Sequence, residues 1–262
     1  MPIYYDMRAL WLSDVHLGTR DCRAELLLDF LRRTRCEVLY LVGDIIDLQR
    51  MRRGIYWPAA HTEVLRLILQ RSQQGTRVVY IPGNHDDEFR MLCGSSLGNI
   101  EICSNVVHTT RSGRRLLVLH GDEFDGVIKR GPLATAAGLA ACRGLLAMNR
   151  IVHAIHDLLG RPYWSLAQHV KMHFRGAVRY IEKFQTACLE AAAEAGVDGV
   201  VCGHIHRADL FERDGRIYCN DGDWVESCTA LAEDQRGRLS LIHWPDFQSQ
   251  SPAEEWPVGE AA

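Results

Sequence analysis

The stretch VLYLVGDIID at residues 38–47 decides the fold class of this chain. Its first five residues are apolar or aromatic, without the alternation of a half-exposed strand, which predicts a strand buried on both faces. Gly43-Asp44 ends that strand. The stretch ALWLSDVH has the same form, because residues 9–12 run into Ser13-Asp14. Two doubly buried strands, each followed by an aspartate, indicate a largely parallel sheet with polar residues beyond one edge.

Helical patterns separate these strands from each other and from a third strand. Apolar residues recur at helical spacing around Leu27 and Phe30, and again over residues 61–73, where Gly75 supplies the stop. Residues 77–81 form a third apolar strand, which Pro82-Gly83-Asn84 closes. Strands that alternate with helices predict crossover connections and an α/β fold.

Short β-prone runs follow, and a long helical stretch interrupts them. The further predicted strands cover residues 100–103, 106–110, 116–120, 199–202, 208–212, 216–220 and 239–243, with hairpin turns at Ser112-Gly113 and Asp214-Gly215. Between the third and fourth of these runs the sequence is helical and rich in alanine. We therefore predict a core of residues 1–124 and 196–245, an inserted helical cap at residues 125–195, and a loosely ordered tail at residues 246–262.

The composition excludes a disordered chain, a collagen-like repeat and a coiled coil for the bulk of the protein. Of the 262 residues, 47% are hydrophobic and 24% are charged, as in an ordinary globular protein, and the net charge is −3. A general nucleic-acid binder would show a basic excess, so we expect no nucleic-acid partner. The nine cysteines are scattered without a CxxC pair, which favours reduced thiols in the cytoplasm over a disulfide framework.

No segment has the pattern of a signal peptide or a membrane span. The first residues lack a basic region followed by an apolar one. The longest apolar segment, residues 133–148, is interrupted by Arg143 and is shorter than a span requires. We expect a cytoplasmic protein, with a peripheral membrane contact through the cap left open.

Five segments each place Asp, His or Asn directly after a predicted strand, where sites of open sheets assemble. The candidate ligands are two carboxylates, one amide and four imidazoles: Asp14, His16, Asp44, Asn84, His120, His204 and His206. Seven donors exceed one tetrahedral site and suit two divalent cations about 3.5–4 Å apart, with Asp44 between them. Nitrogen and oxygen donors without cysteine favour Mn, Fe or Zn over Ca, and Mg stays open; Mn²⁺ is our leading choice.

Each of these motifs is weak when taken singly. An Asp-x-His after a strand seldom binds metal by itself, and Gly-Asn-His-Asp is most often a turn. All five motifs in this order, each at a predicted strand end, are hard to explain by core packing. The metal site is therefore the better interpretation.

The set of motifs resembles the calcineurin-like metallophosphoesterase family. The residues that carry the resemblance are Asp14-x-His16, Gly43-Asp44-x-x-Asp47, Gly83-Asn84-His85-Asp86, His120 and Gly203-His204-x-His206. The resemblance implies a four-layer α/β/β/α sandwich of two mixed sheets. It also implies a division of ligands in which Asp14, His16 and His206 hold one metal, Asn84, His120 and His204 hold the other, and Asp44 bridges. In that family, His85 would contact the substrate and protonate or steady the leaving oxygen, with Asp86 orienting its imidazole.

A narrower resemblance is to the branch that contains UDP-2,3-diacylglucosamine diphosphatases of lipid A synthesis. The opening Ser13-Asp-Val-His-Leu-Gly and the helical insertion after His120 support it. One departure is that this chain has His85 where those enzymes carry Arg. In addition, the segment at residues 220–227 is similar to that of a sister group of the same branch. The resemblance implies a hydrolase of a phosphoester or pyrophosphate that uses a metal-activated water. The alternatives are a soluble substrate such as a small nucleotide, or a metal-free scaffold, which the intact motifs disfavour.

Two features are candidates for reading the substrate. Arg50, Arg52 and Arg53 follow the Asp44 strand and would grip a second phosphate; a solvated charged loop is an equally good interpretation. The leucine-rich cap would enclose acyl chains or rest against a bilayer, although helix packing or dimerisation explains the same residues.

Overall fold

A computed structural model describes residues 5–128 and 175–249 of the chain. Most of the predicted cap and the end of the predicted tail lie outside the described residues. The division of the chain into core, cap and tail therefore stays a prediction.

The described residues form twelve strands and six α-helices. The strands are β1 (Tyr5–Leu12), β2 (Thr34–Val42), β3 (Arg77–Ile81), β4 (Ser95–Leu97), β5 (Ile100–Ile102), β6 (Val106–Thr109), β7 (Arg115–Val118), β8 (Gly199–Cys202), β9 (Asp209–Arg213), β10 (Arg216–Asn220), β11 (Thr229–Glu233) and β12 (Leu239–His243). The helices are α1 (Ala24–Arg33), α2 (Leu48–Met51), α3 (Ala59–Gln73), α4 (Asp125–Ile128), α5 (Arg175–Glu194) and α6 (Trp244–Ser249), with 3₁₀ turns at Asp87–Leu92 and Asp122–Phe124.

The strands form two mixed sheets. The first sheet has the order β12-β11-β1-β2-β3-β5-β4, in which β1, β2, β3 and β5 run parallel and the outer strands run antiparallel to their neighbours. The second sheet has the order β6-β7-β8-β10-β9, with β7, β8 and β10 parallel. Two mixed sheets with helices are what the family resemblance implied, and this prediction is confirmed.

The continuous apolar runs form strands with two buried faces, because helices cover one face and the other sheet covers the opposite face. In β1, Leu10 and Leu12 pack towards α1, whereas Ala9 and Trp11 pack between the sheets. The core between the sheets also takes residues from β2, β3, β7, β8, β10 and β11. The run at residues 38–42 is therefore apolar without alternation for the reason inferred above.

Helices on both outer faces complete the layers. Helices α1 and α3 bury Phe30 and Val64 on the first sheet. Helix α5 buries Phe184 and Cys188 on the second sheet. The last part of the predicted cap thus packs on the core, and α6 begins at the buried Trp244. The described helices include none long and apolar enough to cross a membrane.

Two strands were not predicted. Strand β4 is a short, exposed edge strand, and β11 lies inside the first sheet between β1 and β12. The predicted strands at residues 77–81, 199–202, 216–220 and 239–243 have the predicted bounds, and the hairpin turn at Asp214-Gly215 joins β9 to β10. The eight cysteines in the described residues are free thiols, as expected for a chain without a disulfide framework.

Candidate metal centre

The predicted ligands lie on loops whose backbones are held in an uncommon conformation. Five of them have positive φ angles between 50° and 71°: Asp14, His16, Asp44, His204 and His206. Left-handed backbone is strained for residues with a side chain and tends to occur at functional sites. Backbone hydrogen bonds lock two of the loops together, since the amides of Asp14 and His16 donate to the carbonyls of Gly43 and Asp44 at 3.0 and 2.9 Å.

One group of donors comes from the loops after β1 and β8. Asp14, His16 and His206 bring one potential ligand atom each within 4.8 Å of the others. His206 Nε2 lies 3.1 Å from Asp14 Oδ1 and 3.4 Å from His16 Nε2. The structure thus brings together the three residues that the family resemblance assigns to one metal.

Asp44 lies between this group and a second one. Its Oδ2 is 3.8 Å from His16 Nε2, and its Oδ1 is 3.6 Å from His120 Nε2. His120 Nδ1 lies 2.8 Å from the carbonyl of Val42, so Nε2 is the nitrogen that faces the carboxylates. Because its two oxygens face histidines of different groups, Asp44 has the position expected of a bridging ligand.

The remaining two predicted ligands lie at the margin of the cluster. Asn84 Oδ1 is buried and has no hydrogen-bond partner in the described part of the chain. His204 Nε2 lies 3.2 Å from Asp125 Oδ1, which also accepts a hydrogen bond from Tyr180 at 2.6 Å. A carboxylate on one ring nitrogen is the usual partner of a metal-ligating histidine, and it leaves Nδ1 of His204 for a metal.

The donor set fits a pair of divalent cations. Like Asn84 Oδ1, His120 Nε2 is buried without a hydrogen-bond partner among the described residues. Buried polar atoms are normally satisfied, so unpartnered ligand atoms that face a cluster of carboxylates indicate a site built for a cation. The arrangement fits divalent cations, and their number and the division of Asn84 and His204 between them stay predictions.

Glycine at two positions allows the ligands to approach each other. A Cβ atom at Gly83 would lie 2.3 Å from Asp44 Oδ1, and one at Gly43 would lie 2.2 Å from His120 Nδ1. Both distances are far below van der Waals contact. The glycines in the Gly-Asp and Gly-Asn motifs are therefore required by the close packing of the ligand side chains.

The electrostatics of the site favour charged carboxylates. Burial by itself would raise the pKa of Asp14, but His206, His120 and His16 outweigh burial and lower that pKa below its ordinary value. The same balance, with His120 the strongest neighbour, lowers the pKa of Asp44. Burial opposes the protonated form of His120, yet Asp44 and Asp14 raise the pKa of His120 well above its usual value. Both carboxylates are thus ready to bind cations.

The prediction that Asp86 orients His85 is wrong. His85 Nδ1 lies 3.0 Å from Asp47 Oδ1, and Asp47 Oδ2 lies 3.0 Å from His16 Nδ1. Asp47 therefore holds a predicted ligand and the predicted catalytic histidine together. Burial disfavours the charged form of His85, but the nearby carboxylate of Asp47 and the charge of Asp44 give a net rise in the pKa of His85.

Asp86 has a structural position instead. Its carboxylate accepts hydrogen bonds from the backbone amides of Gly83 at 2.7 Å, Ile45 at 2.8 Å and Asp44 at 3.2 Å, and from the Tyr80 hydroxyl. The side chain folds back into its own turn, so it is fully buried and supports the loop of Asp44. Asp47 could have been found from its place in Gly43-Asp44-x-x-Asp47, whereas no spacing rule indicated Asp125.

The three candidate arginines are exposed beside the site. Arg52 pairs with Glu88 on the 3₁₀ turn that follows Asp86. A cavity of about 370 Å³ is lined by Gln49, Arg52, Arg53, Asp87 and Glu88. Because its lining carries both signs of charge, binding of a second phosphate by Arg50, Arg52 or Arg53 stays a prediction.

Residues 7–208 match the calcineurin-like phosphoesterase family, a span that begins in β1 and includes all the predicted ligands. The chain belongs to this family. Its sequence is 29% identical over 123 residues to UDP-2,3-diacylglucosamine hydrolase of Blochmanniella pennsylvanica, which covers 44% of this chain and 47% of that protein. It is 22% identical over 253 residues to the Haemophilus influenzae protein of the same name. That alignment covers 88% of this chain and 97% of the Haemophilus protein.

A relative of a different kind is the DNA polymerase II small subunit of Methanothermobacter thermautotrophicus. It is 28% identical over 188 residues, which covers 58% of this chain and 37% of that subunit. The chain thus spans less than half the length of this relative and of the Blochmanniella protein.

Proposed function

We propose that this protein hydrolyses a phosphoester or pyrophosphate bond with the help of two divalent metal ions, with Mn²⁺ as the leading candidate. The observation that carries the proposal is the convergence of five donor side chains from both sheets: Asp14, His16, Asp44, His120 and His206. Two predicted ligand atoms, Asn84 Oδ1 and His120 Nε2, are buried without a partner in the described residues. A pair of cations satisfies both the geometry and these atoms.

The metals would lower the pKa of a water molecule and neutralise charge on the phosphoryl oxygens. The chain holds its donors in place through strained loops and the glycines that let the side chains meet. His85 is the motif histidine that is not needed as a ligand, and it is held by Asp47. It would donate a proton to the leaving oxygen or steady it by a hydrogen bond.

The substrate that we propose is a UDP-2,3-diacylglucosamine-like nucleotide-sugar lipid. The names of the bacterial relatives and the motif resemblance support this choice. In this proposal, the protein acts in lipid A biosynthesis in the cytoplasm, at the inner face of a membrane, and nucleic acid is not a partner. Arg50, Arg52 and Arg53 would bind the second phosphate.

A soluble phosphodiester, such as a small nucleotide, is the second candidate. One observation favours it: His85 stands where the diphosphatases of that branch carry arginine. The similarity to a DNA polymerase II small subunit, whose name refers to no lipid, supports this second candidate in addition.

The test is hydrolysis by the full chain in Mn²⁺, with detergent-solubilised UDP-2,3-diacylglucosamine and bis-p-nitrophenyl phosphate as parallel substrates. We expect faster release of UMP from the lipid, and loss of both activities in Asp44→Asn. Asp234→Asn, in the turn between β11 and β12, is the control that keeps full activity. Cleavage of the aryl diester alone favours the second candidate, and hydrolysis of neither substrate contradicts the proposed function.

A further inference from the structure

The loop after β10 is a buried acidic segment that the proposed chemistry does not use. It carries three acidic side chains with at most 2% exposure: Asp221, Asp223 and Glu226. Acidic residues are almost never fully buried unless they are paired. Asp223 is accounted for, because it accepts hydrogen bonds from the amide of Val225 and from the Ser227 hydroxyl. Asp221 needs another explanation.

Asp221 reaches the metal centre through one hydroxyl group. Ser13 Oγ lies 2.6 Å from Asp221 Oδ1 and 2.6 Å from Asp14 Oδ2, with the Gly222 carbonyl as a third and more distant neighbour at 3.1 Å. The same Asp14 oxygen accepts the amide of His204 at 2.8 Å, and the amide of Trp224 donates to the Asp14 carbonyl at 3.1 Å. The other carboxylate oxygen, Asp14 Oδ1, therefore faces His206, whose Nε2 lies 3.1 Å away. The loop thus fixes both the backbone and the side chain of a predicted ligand.

Proton counting indicates the state of Asp221. Two oxygen–oxygen contacts of 2.6 Å at one hydroxyl require two protons, and Ser13 supplies only one. If Ser13 donates to the charged Asp14, the second proton lies on Asp221 and is donated to Ser13 Oγ. Its other oxygen, Oδ2, is buried with no partner among the described residues, which is costly for a carboxylate and less so for a neutral acid.

The surroundings of Asp221 also favour its protonated, neutral form. Burial is the largest influence and raises the pKa of Asp221 well above its ordinary value, and the negative charge of Asp14 adds to that rise. The hydrogen bond from Ser13 opposes the shift without cancelling it.

We propose that Asp221, as a neutral acid, is a positioning residue that aligns Asp14 for metal binding through the Ser13 hydroxyl. The chain of donors runs from Asp221 to Ser13 and from Ser13 to Asp14 Oδ2, which leaves Asp14 Oδ1 free to bind a cation. The inference rests on the metal centre of the proposed function and adds a residue to it. Outer partners of this kind change metal affinity by roughly 10–100-fold when they are removed.

The test is calorimetric titration of the full chain with Mn²⁺, comparing wild type with Asp221→Asn, Asp221→Ala and Ser13→Ala. Asp221→Asn should keep wild-type affinity within about twofold, because an amide N–H donates to Ser13 as the acid does. Asp221→Ala and Ser13→Ala should each weaken one of the two Mn²⁺ sites by roughly 10–100-fold. If Asp221→Ala does not fold, Ser13→Ala tests the same link.

The matched control is Ser72→Ala. Ser72 is also a buried serine, but it lies in α3 and its hydroxyl donates to the Leu69 carbonyl at 2.8 Å. It should retain both Mn²⁺ sites. Wild-type affinity in Asp221→Ala and Ser13→Ala, or equal weakening in Asp221→Asn and Asp221→Ala, overturns the inference alone. A wild-type chain that binds no Mn²⁺ instead overturns the proposed function beneath it.

Discussion

At the scale of single residues, the ligands combine chemical function with backbone strain. A left-handed backbone costs roughly 1–2 kcal/mol for a residue with a Cβ atom, and glycine avoids most of this cost. Five predicted ligands adopt it because the loops between two sheets must turn sharply to aim their side chains inward. Strain retained at such positions implies that stability is lower than it would be without the site.

Because the φ angle of His206 is 51°, glycine should be more stable than alanine at this position, which reverses their usual order. His206→Gly and His206→Ala both remove the imidazole, but the glycine variant should be more stable by about 0.5–1 kcal/mol. Urea unfolding in EDTA measures the difference. At Arg66, exposed in α3, the order of alanine and glycine should reverse. Equal stability of the two His206 variants would show that the strain is not retained in solution.

His85 should separate chemistry from metal binding. Its Nδ1 is held by Asp47, and it is not in the predicted ligand set. We expect His85→Asn to lower kcat by about 10²–10⁴-fold while two Mn²⁺ ions remain bound. Metal analysis and steady-state kinetics on the same sample provide the test, with Asp44→Asn as the contrasting variant that loses both. Loss of metal from His85→Asn would make His85 a ligand.

At the scale of elements, the sequence predicts the strands with apolar or β-prone runs and misses β4 and β11, which lack such runs. Residues 77–81 and 199–202 are buried on both faces, and their composition shows it. Strand β11 reads Thr-Ala-Leu-Ala-Glu, which is rich in residues that do not favour strands. It is a strand because it pairs with β1, which lies more than 200 residues earlier in the chain, and with β12, which follows it. Local propensity cannot reveal that pairing.

The site shows the same division between local and long-range information. The seven donors were predicted because each follows a predicted strand, and strand ends meet at one edge of a sheet. The contacts that orient these donors were not predictable, even where the partner, like Asp47, stands in a motif. Asp47 contacts His16 from 31 residues away, and Asp221 contacts Ser13 from 208 residues away. These contacts depend on side-chain directions across the assembled fold, and Asp86 was misassigned for that reason.

Strand β11 also carries a pH-dependent link between the sheets. Buried Glu233 pairs with Arg8 on β1 at 2.7 Å and with His108 Nε2 on β6 at 2.8 Å. Burial raises the pKa of Glu233, but His108, the amide of Arg111 and Arg8 lower it below 4.5 overall. A lowered pKa in the folded state means that this link stabilises the protein above that pH and is lost as the pH falls through the folded value.

The expected result is a pH-dependent effect of Glu233→Gln. Its destabilisation relative to wild type should be largest at neutral pH and should shrink in acid, as the pH falls through the lowered pKa of Glu233 and the wild-type side chain becomes protonated. Urea unfolding across this range measures it. Glu212→Gln, which breaks an exposed pair with Arg114, should have a small effect at every pH. A constant destabilisation by Glu233→Gln would contradict the assignment.

At the scale of the whole molecule, the metal centre joins the two sheets. Asp14, Asp44 and Asn84 follow strands of the first sheet, and His120 and His204 follow strands of the second. A cation pair bound to both sheets exists only in the folded state, so it must stabilise the fold. The stability of this protein should therefore depend on its metal content.

Thermal unfolding should reveal that dependence. At Mn²⁺ concentrations about 100 times Kd, each site adds about 2.7 kcal/mol, which corresponds to roughly 5–10 °C in Tm for a protein of this size. Scanning calorimetry with Mn²⁺ and with EDTA provides the measurement. Asp44→Asn should lose most of the Mn²⁺-dependent increase in Tm, and Asp234→Asn should keep that increase. An unchanged Tm in wild type would contradict a centre shared by the sheets.

The position of β11 also determines when the centre can assemble during translation. The first four donors leave the ribosome within residues 14–84, but His206 comes more than a hundred residues later. The strand that pairs with β1 on the side away from β2 ends only at Glu233. A nascent chain shorter than this has an open edge beside the Asp14 loop. Metal capture is therefore a late step in the biosynthesis of this protein, after nearly all of both sheets has been made.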